Sequence, residues 1–248
     1  MTLGITQQEE HKCVGILGGL GPAETAYFFE MLIAATDAET DQDNVDAIIL
    51  NYARIPDRSA YILGRSNISP LGCLIEGARK LEQAGCDYVV IPCNTAHFFY
   101  CEIQNTLTIP LLNIIHEGVY SCYEQGAHCV GVLCTEGTRV GGMYEHSLNR
   151  MGMECRYPDE NTQKHIDALI YQKVKAGKPV LREELLGLYR SLIRIGCDTL
   201  ILGCTELSVA HSALGLDCPY VIDSLQSLAV RSVVLSGCAV KPAASKKM

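Results

Sequence analysis

The chain has 248 residues, enough for one large or two modest domains with a sizeable core, and a formal net charge of −8. The only dense basic run is Lys246-Lys247, so neither nucleic acid nor an anionic membrane is an expected partner. Asn51, Arg231 or glycines break the apolar stretches well short of a membrane span, and Met1–Lys12 is polar with no apolar leader. A cytoplasmic location is therefore expected, with the thirteen cysteines mostly reduced.

In chain order, apolar runs predict strands at Cys13–Gly18, Ala47–Asn51, Tyr88–Pro92 and Pro110–Ile114. Helices are predicted between them: Ala23–Ala38 with Pro22 as its opening residue, and Pro70–Ala84 with Gly85 as its stop. The second half repeats the rhythm. A strand near 129–133 leads to a helix near Arg139–Met151 and a strand near 153–157, and helices follow near Thr162–Ala176 and Leu181–Ile195. Strands at Thr199–Leu202 and Tyr220–Ile222 precede a last helix capped by Asp223, and the tail from Lys241 reads as disordered. Alternation of this kind predicts parallel sheets with helices on both faces.

Two passages occur twice. Gly85-Cys86-Asp87-Tyr88-Val89-Val90-Ile91-Pro92-Cys93-Asn94-Thr95 is echoed, 111 positions on, by Gly196-Cys197-Asp198-Thr199-Leu200-Ile201-Leu202-Gly203-Cys204-Thr205-Glu206. Cys13-Val14-Gly15-Ile16-Leu17-Gly18 is echoed by Cys129-Val130-Gly131-Val132-Leu133-Cys134. A period this long means two related lobes rather than a solenoid. The expected fold is α/β, two pseudo-symmetric lobes with a cleft between them: residues 1–113 plus 222–248 form the first lobe and 114–221 the second. Ligands of parallel sheets bind beyond the C-terminal strand ends, where Cys93 and Cys204 fall. Each precedes a predicted helix N-terminus, a setting that favours thiolate.

Four passages together resemble the cofactor-independent aspartate/glutamate racemases, most closely the aspartate racemases. They are Ile16-Leu17-Gly18-Gly19-Leu20-Gly21-Pro22-Ala23-Glu24-Thr25, Ile55-Pro56-Asp57-Arg58, Pro92-Cys93-Asn94-Thr95-Ala96-His97 and Gly203-Cys204-Thr205-Glu206. The resemblance covers nearly the whole chain. It implies a small amino-acid substrate, no cofactor, commonly a homodimer, and Cys93 and Cys204 as two acid–base groups on opposite faces of Cα. Because both cysteines are kept, reversible action is expected. Arg58 and Lys164 correspond to the residues that hold the distal carboxylate, and Thr138 to a binding position. Relatives usually carry a small residue where this chain has Glu24.

Asn94, Thr95 and Thr205, beside the thiols, are candidate donors to the α-carboxylate, where charge develops as the proton leaves. Gly19 belongs to a loop read as close backbone approach to a small ligand, because the spacing of a dinucleotide fingerprint fails at Glu24. Asn51, ending a strand, is a further polar candidate. Cys93, His97 and Cys101 lie four apart, but one helix does not close a tetrahedral site, and no metal is expected. Three alternatives stand beside aspartate racemisation: a glutamate or broad-specificity racemase, a maleate isomerase or arylmalonate decarboxylase-like enzyme, and a non-catalytic amino-acid binder.

Overall fold

Residues 11–242 are described by the computed structural model; the predicted disordered tail beyond Pro242 and most of the polar N-terminal stretch lie outside them. Strands β1 (Val14–Gly18), β2 (Ala47–Asn51) and β3 (Tyr88–Val90) form one parallel sheet in the order β2-β1-β3. Strands β4 (Cys129–Cys134), β5 (Glu154–Arg156), β6 (Thr199–Gly203) and β7 (Val221–Asp223) form a second in the order β5-β4-β6-β7, also parallel. The duplicated passages occupy equivalent places. β1 and β4 are the strands to which β3 and β6, respectively, pair. The Asp87 carboxylate accepts from Cys13 N at 2.7 Å, and that of Asp198 accepts from Cys129 N at 3.1 Å.

Among the described residues, eleven α-helices surround the sheets: α1 (Pro22–Ala35), α2 (Arg58–Ile62), α3 (Leu71–Gln83), α4 (Tyr100–Gln104), α5 (Ile114–Glu124), α6 (Glu136–Val140), α7 (Met143–Arg150), α8 (Glu160–Ala168), α9 (Arg182–Arg194), α10 (Thr205–Ala213) and α11 (Ser224–Leu235). None of the described helices is long and apolar enough to cross a membrane. Strand side chains alternate between faces, and that period sorts the core. Val14 and Ile16 of β1, Val130 and Val132 of β4, and Ile201 of β6 turn toward a central layer containing α1, α5 and α11. Leu17 packs outward with α3, and Leu133, Leu200 and Leu202 pack outward with α9 and α10. Such strands are buried on both faces, which is why they read as unbroken apolar runs.

The structure departs from two of the elements expected from the sequence. Pro110–Ile114 makes only an isolated bridge, Val89 to Leu111. Pro110 has no N–H for a ladder, and Asn113 accepts from Ile115 N at 3.0 Å and His116 N at 3.2 Å, opening the unpredicted α5 instead. The helix expected over Arg139–Met151 begins earlier and breaks in two at Gly142, whose φ of 67° only glycine adopts readily. β7, which contains residue 222, pairs with β6, while α11 packs against both α1 and α5.

Candidate active site

The main chain delivers two thiols by the same device. Cys93 follows β3 and Cys204 follows β6, and both are extended, with φ −156°, ψ 108° and φ −153°, ψ 131°. Each stands at the position that caps the next helical turn: a 3-10 segment, Asn94–Phe99, after Cys93 and α10 after Cys204. The glycine loop after β1 closes one side. Thr25 donates to Gly21 O at 2.8 Å and accepts from Gly19 N at 2.9 Å. Gly19 has φ 90°, and a Cβ there would sit 2.4 Å from the Tyr52 carbonyl carbon. The loop's next residue, Leu20, faces the cleft.

Both thiols line one cavity of about 20 Å³, together with Leu20, Arg58, Asn94 and Lys175. Thr95, Thr205 and Glu206 also reach it. That volume holds about one water. A solute larger than that enters only if the surrounding walls part, and the contacts across the mouth include Arg65 to Glu136 at 2.7 Å and Ser59 to Thr135 at 3.3 Å.

Thr95, Thr135 and Thr138 share a hydroxyl triangle with edges of 2.8, 3.1 and 3.2 Å that ties the Cys93 turn to α6. Thr138 supports the wall from behind. The Asn94 carbonyl oxygen is fixed by Tyr144 Oη at 2.6 Å and Ser224 Oγ at 3.2 Å, leaving its buried Nδ2 donor without a partner. Arg58 donates to the carbonyls of Leu20 at 2.7 Å and Pro56 at 3.2 Å, while its Nε, also buried, has no partner. No carboxylate pairs with this guanidinium among the described residues. His97 donates from Nδ1 to Cys93 O at 2.9 Å and accepts at Nε2 from Ile114 N, a tautomer assigned from that network. Burial lowers its pKa, so a neutral ring braces the Cys93 backbone.

Charge concentrates on the Cys204 side. Cys204 Sγ donates to Glu206 Oε2 at 2.8 Å, and Lys175 Nζ pairs with Glu206 Oε1 at 2.5 Å. Burial, reinforced by Glu206, pushes the Cys204 thiol well above its ordinary value. Burial works against the Glu206 carboxylate too, but Lys175 and the thiol outweigh it and hold that pKa down. Glu24, only 5% exposed, is raised by burial and then by Glu206.

Of the residues expected from the sequence, Cys93, Cys204, Arg58, Asn94, Thr95 and Thr205 come together at the cavity. Gly19 and Thr138 stand directly behind it. Asn51 is exposed at the end of β2, and Lys164 is exposed on the outer face of α8. The lysine at the cavity is Lys175. The two lysines are eleven residues apart, about three turns of regular helix, and would share one face. A π-helical segment, Leu169–Val174, with Lys175 N bonded to Ile170 O at 3.0 Å, changes the phase between them. No local signal in Gln172-Lys173-Val174-Lys175 marks that insertion. Glu206, quoted in the Cys204 motif but given no role there, is the other residue that sequence reading missed.

Comparison with known proteins accords with this geometry. The family model described as Asp/Glu/Hydantoin racemase matches residues 17–231. The chain belongs to this racemase family. The broad specificity amino-acid racemase RacX of Bacillus subtilis is 30% identical over 233 residues, covering 89% of this chain and 96% of the relative. Aspartate racemase from Picrophilus torridus superposes with a TM-score of 0.79 at 31% identity, over 93% of this chain and 96% of that one. Glutamate racemase from Francisella tularensis, in complex with D-glutamate, shares the fold at a TM-score of 0.63 and 19% identity, over 92% and 82% of the two chains. The racemase fold is thus continuous across relatives named for different substrates.

Proposed function

We propose that this racemase interconverts L- and D-aspartate without pyridoxal phosphate, Cys93 and Cys204 exchanging the α-proton from opposite faces of Cα. One observation carries the reading: two thiols from equivalent strand ends of the two halves line a single cavity. One sulfur takes the proton as thiolate while the other, as thiol, supplies one, and the roles reverse with the handedness of the substrate. The unpartnered Nδ2 of Asn94, with Thr95 and Thr205, suits the α-carboxylate as negative charge develops on it. Arg58, a cation at the cavity with no carboxylate partner among the described residues, suits the distal carboxylate. The expected homodimer belongs to the same proposal, and sedimentation gives its test.

A second reading follows from the charge around Lys175. Glu206 already pairs with it and Glu24 lies near, so less positive charge is free for a second carboxylate, which favours neutral amino acids as further substrates. Incubation in D2O with reductant and no pyridoxal phosphate tests both. Aspartate that acquires α-deuterium and D-isomer supports the proposal, and the same result with alanine or serine supports the second reading. Bound aspartate with no exchange favours a binder. Conversion of maleate favours the isomerase alternative.

A further inference from the structure

Equivalent in backbone, the two thiols differ in their surroundings. Nothing ionic hydrogen-bonds the Cys93 side chain among the described residues, whereas Cys204 Sγ donates to a carboxylate at 2.8 Å that Lys175 and the Thr205 hydroxyl also hold. Glu206 is 3% exposed and cannot swing into water without breaking all three contacts. We propose that Glu206 is a positioning residue that makes the pair asymmetric, keeping Cys204 as the protonated member at rest, so that the resting enzyme is set to act first on the enantiomer whose α-proton faces Cys93. The inference rests on the racemase reading for its catalytic meaning, although its geometry stands independently.

The proton balance is simple. The α C–H bond breaks as its proton passes to the Cys93 thiolate, and a new C–H bond forms with the proton of Cys204. Cys204 is left as thiolate beside Glu206, a like charge. To reset, Cys93 releases a proton to solvent and Cys204 takes one up; no electron changes hands. The groups facing this pair from the surrounding elements are Glu24 from α1, Tyr171 and Lys175 from the π-helical segment and its end, and Asp57, Arg58 and Cys93 from the first half. Lys175 and the Glu206 N–H favour the thiolate; burial and the Glu206 carboxylate oppose it and prevail. Removing the carboxylate while leaving Lys175 in place must therefore lower the pKa of Cys204.

The test reads the thiol rather than turnover. In a Cys93→Ala background, iodoacetamide modification of Cys204 is followed by peptide mass against pH. With Glu206 present the inflection is expected above the ordinary thiol value of about 8.5. Glu206→Gln should move it down by about one unit or more, roughly a tenfold faster reaction at neutral pH, and Glu206→Asp should restore much of the shift. Superimposable profiles in a Glu206→Gln protein that melts normally would overturn the proposal. So would an inflection at or below the ordinary value with Glu206 intact, a measurement that does not need the variant to fold. A shift in that background, with no racemisation by the parent protein in which both cysteines are intact, would instead refute the racemase reading alone.

Discussion

The Cys93 turn and the Cys204 turn begin from the same backbone conformation and end in different chemistry. After Cys93 come Asn94 and Thr95, whose side chains are held by neutral partners: Tyr144, Ser224, Thr135 and Thr138. His97 then fixes the Cys93 carbonyl as an uncharged ring. After Cys204 come Thr205 and Glu206, tied into an ion pair with Lys175. Duplication explains the shared scaffold, because a strand end followed by a helical turn presents a side chain the same way in either half. It does not explain the charge. The two-base chemistry proposed for these thiols needs one group ionised while the other is protonated, and unlike surroundings suit that need.

The comparison breaks most visibly if either sulfur proves dispensable. Cys93→Ala and Cys204→Ala should each lower racemisation by about a thousandfold or more, the scale of a lost acid–base group. A chiral assay of both directions checks this, and retained activity in either variant would remove the two-base assignment. Next in size is the pair of lysines. Lys175→Met leaves the Glu206 carboxylate, 4% exposed, without its counter-charge; because Lys175 is itself 31% exposed, the expected loss lies between surface and buried pairs, about 2–3 kcal/mol. Lys164→Met should stay within about 0.5 kcal/mol and leave turnover unchanged. Urea denaturation of both variants, alongside kcat/KM, decides which lysine serves the site.

That pair of lysines also marks where the sequence stops being legible. The layers were readable because strands buried on both faces leave long apolar runs, and the cavity cysteines because the duplicated passage ends on them. Pro22 opened its helix as its fixed φ dictates. Lys175 was hidden because a π-helical insertion has no composition of its own, and Glu206 because nothing local says that a carboxylate two residues past a cysteine folds back onto its sulfur. Pro110–Ile114 looked like a strand because its apolar run is real; Asn113 recruits the next residues into α5. Tertiary partners decided each of these.

Glu24 offers a smaller effect with a definite sign. Its folded-state pKa is raised, by burial first and Glu206 second, so its stabilising contribution is full below the ordinary carboxylate value and is lost as pH climbs through the folded one. Glu24→Gln should therefore melt higher than the parent at pH 7 to 8, and the gap should close toward pH 4. A variant that melted lower at neutral pH would mean that Lys175 draws more from Glu24 than burial costs it.

The smallest expected change tests whether the mouth of the cleft differs in kind from its floor. Arg65 and Glu136 meet at 2.7 Å across the two halves, but their side chains are 64% and 33% exposed. Exposed pairs contribute about 0–1 kcal/mol, and salt screens them. Arg65→Ala should leave the melting temperature nearly unchanged. If opening precedes substrate entry, KM should shift by no more than about fivefold, with the same shift reproduced in the parent by high salt. The Cys204–Glu206–Lys175 cluster, being shielded, should not respond to that salt. A large stability loss in Arg65→Ala would mean the halves are clamped at their rim rather than joined through the central helical layer.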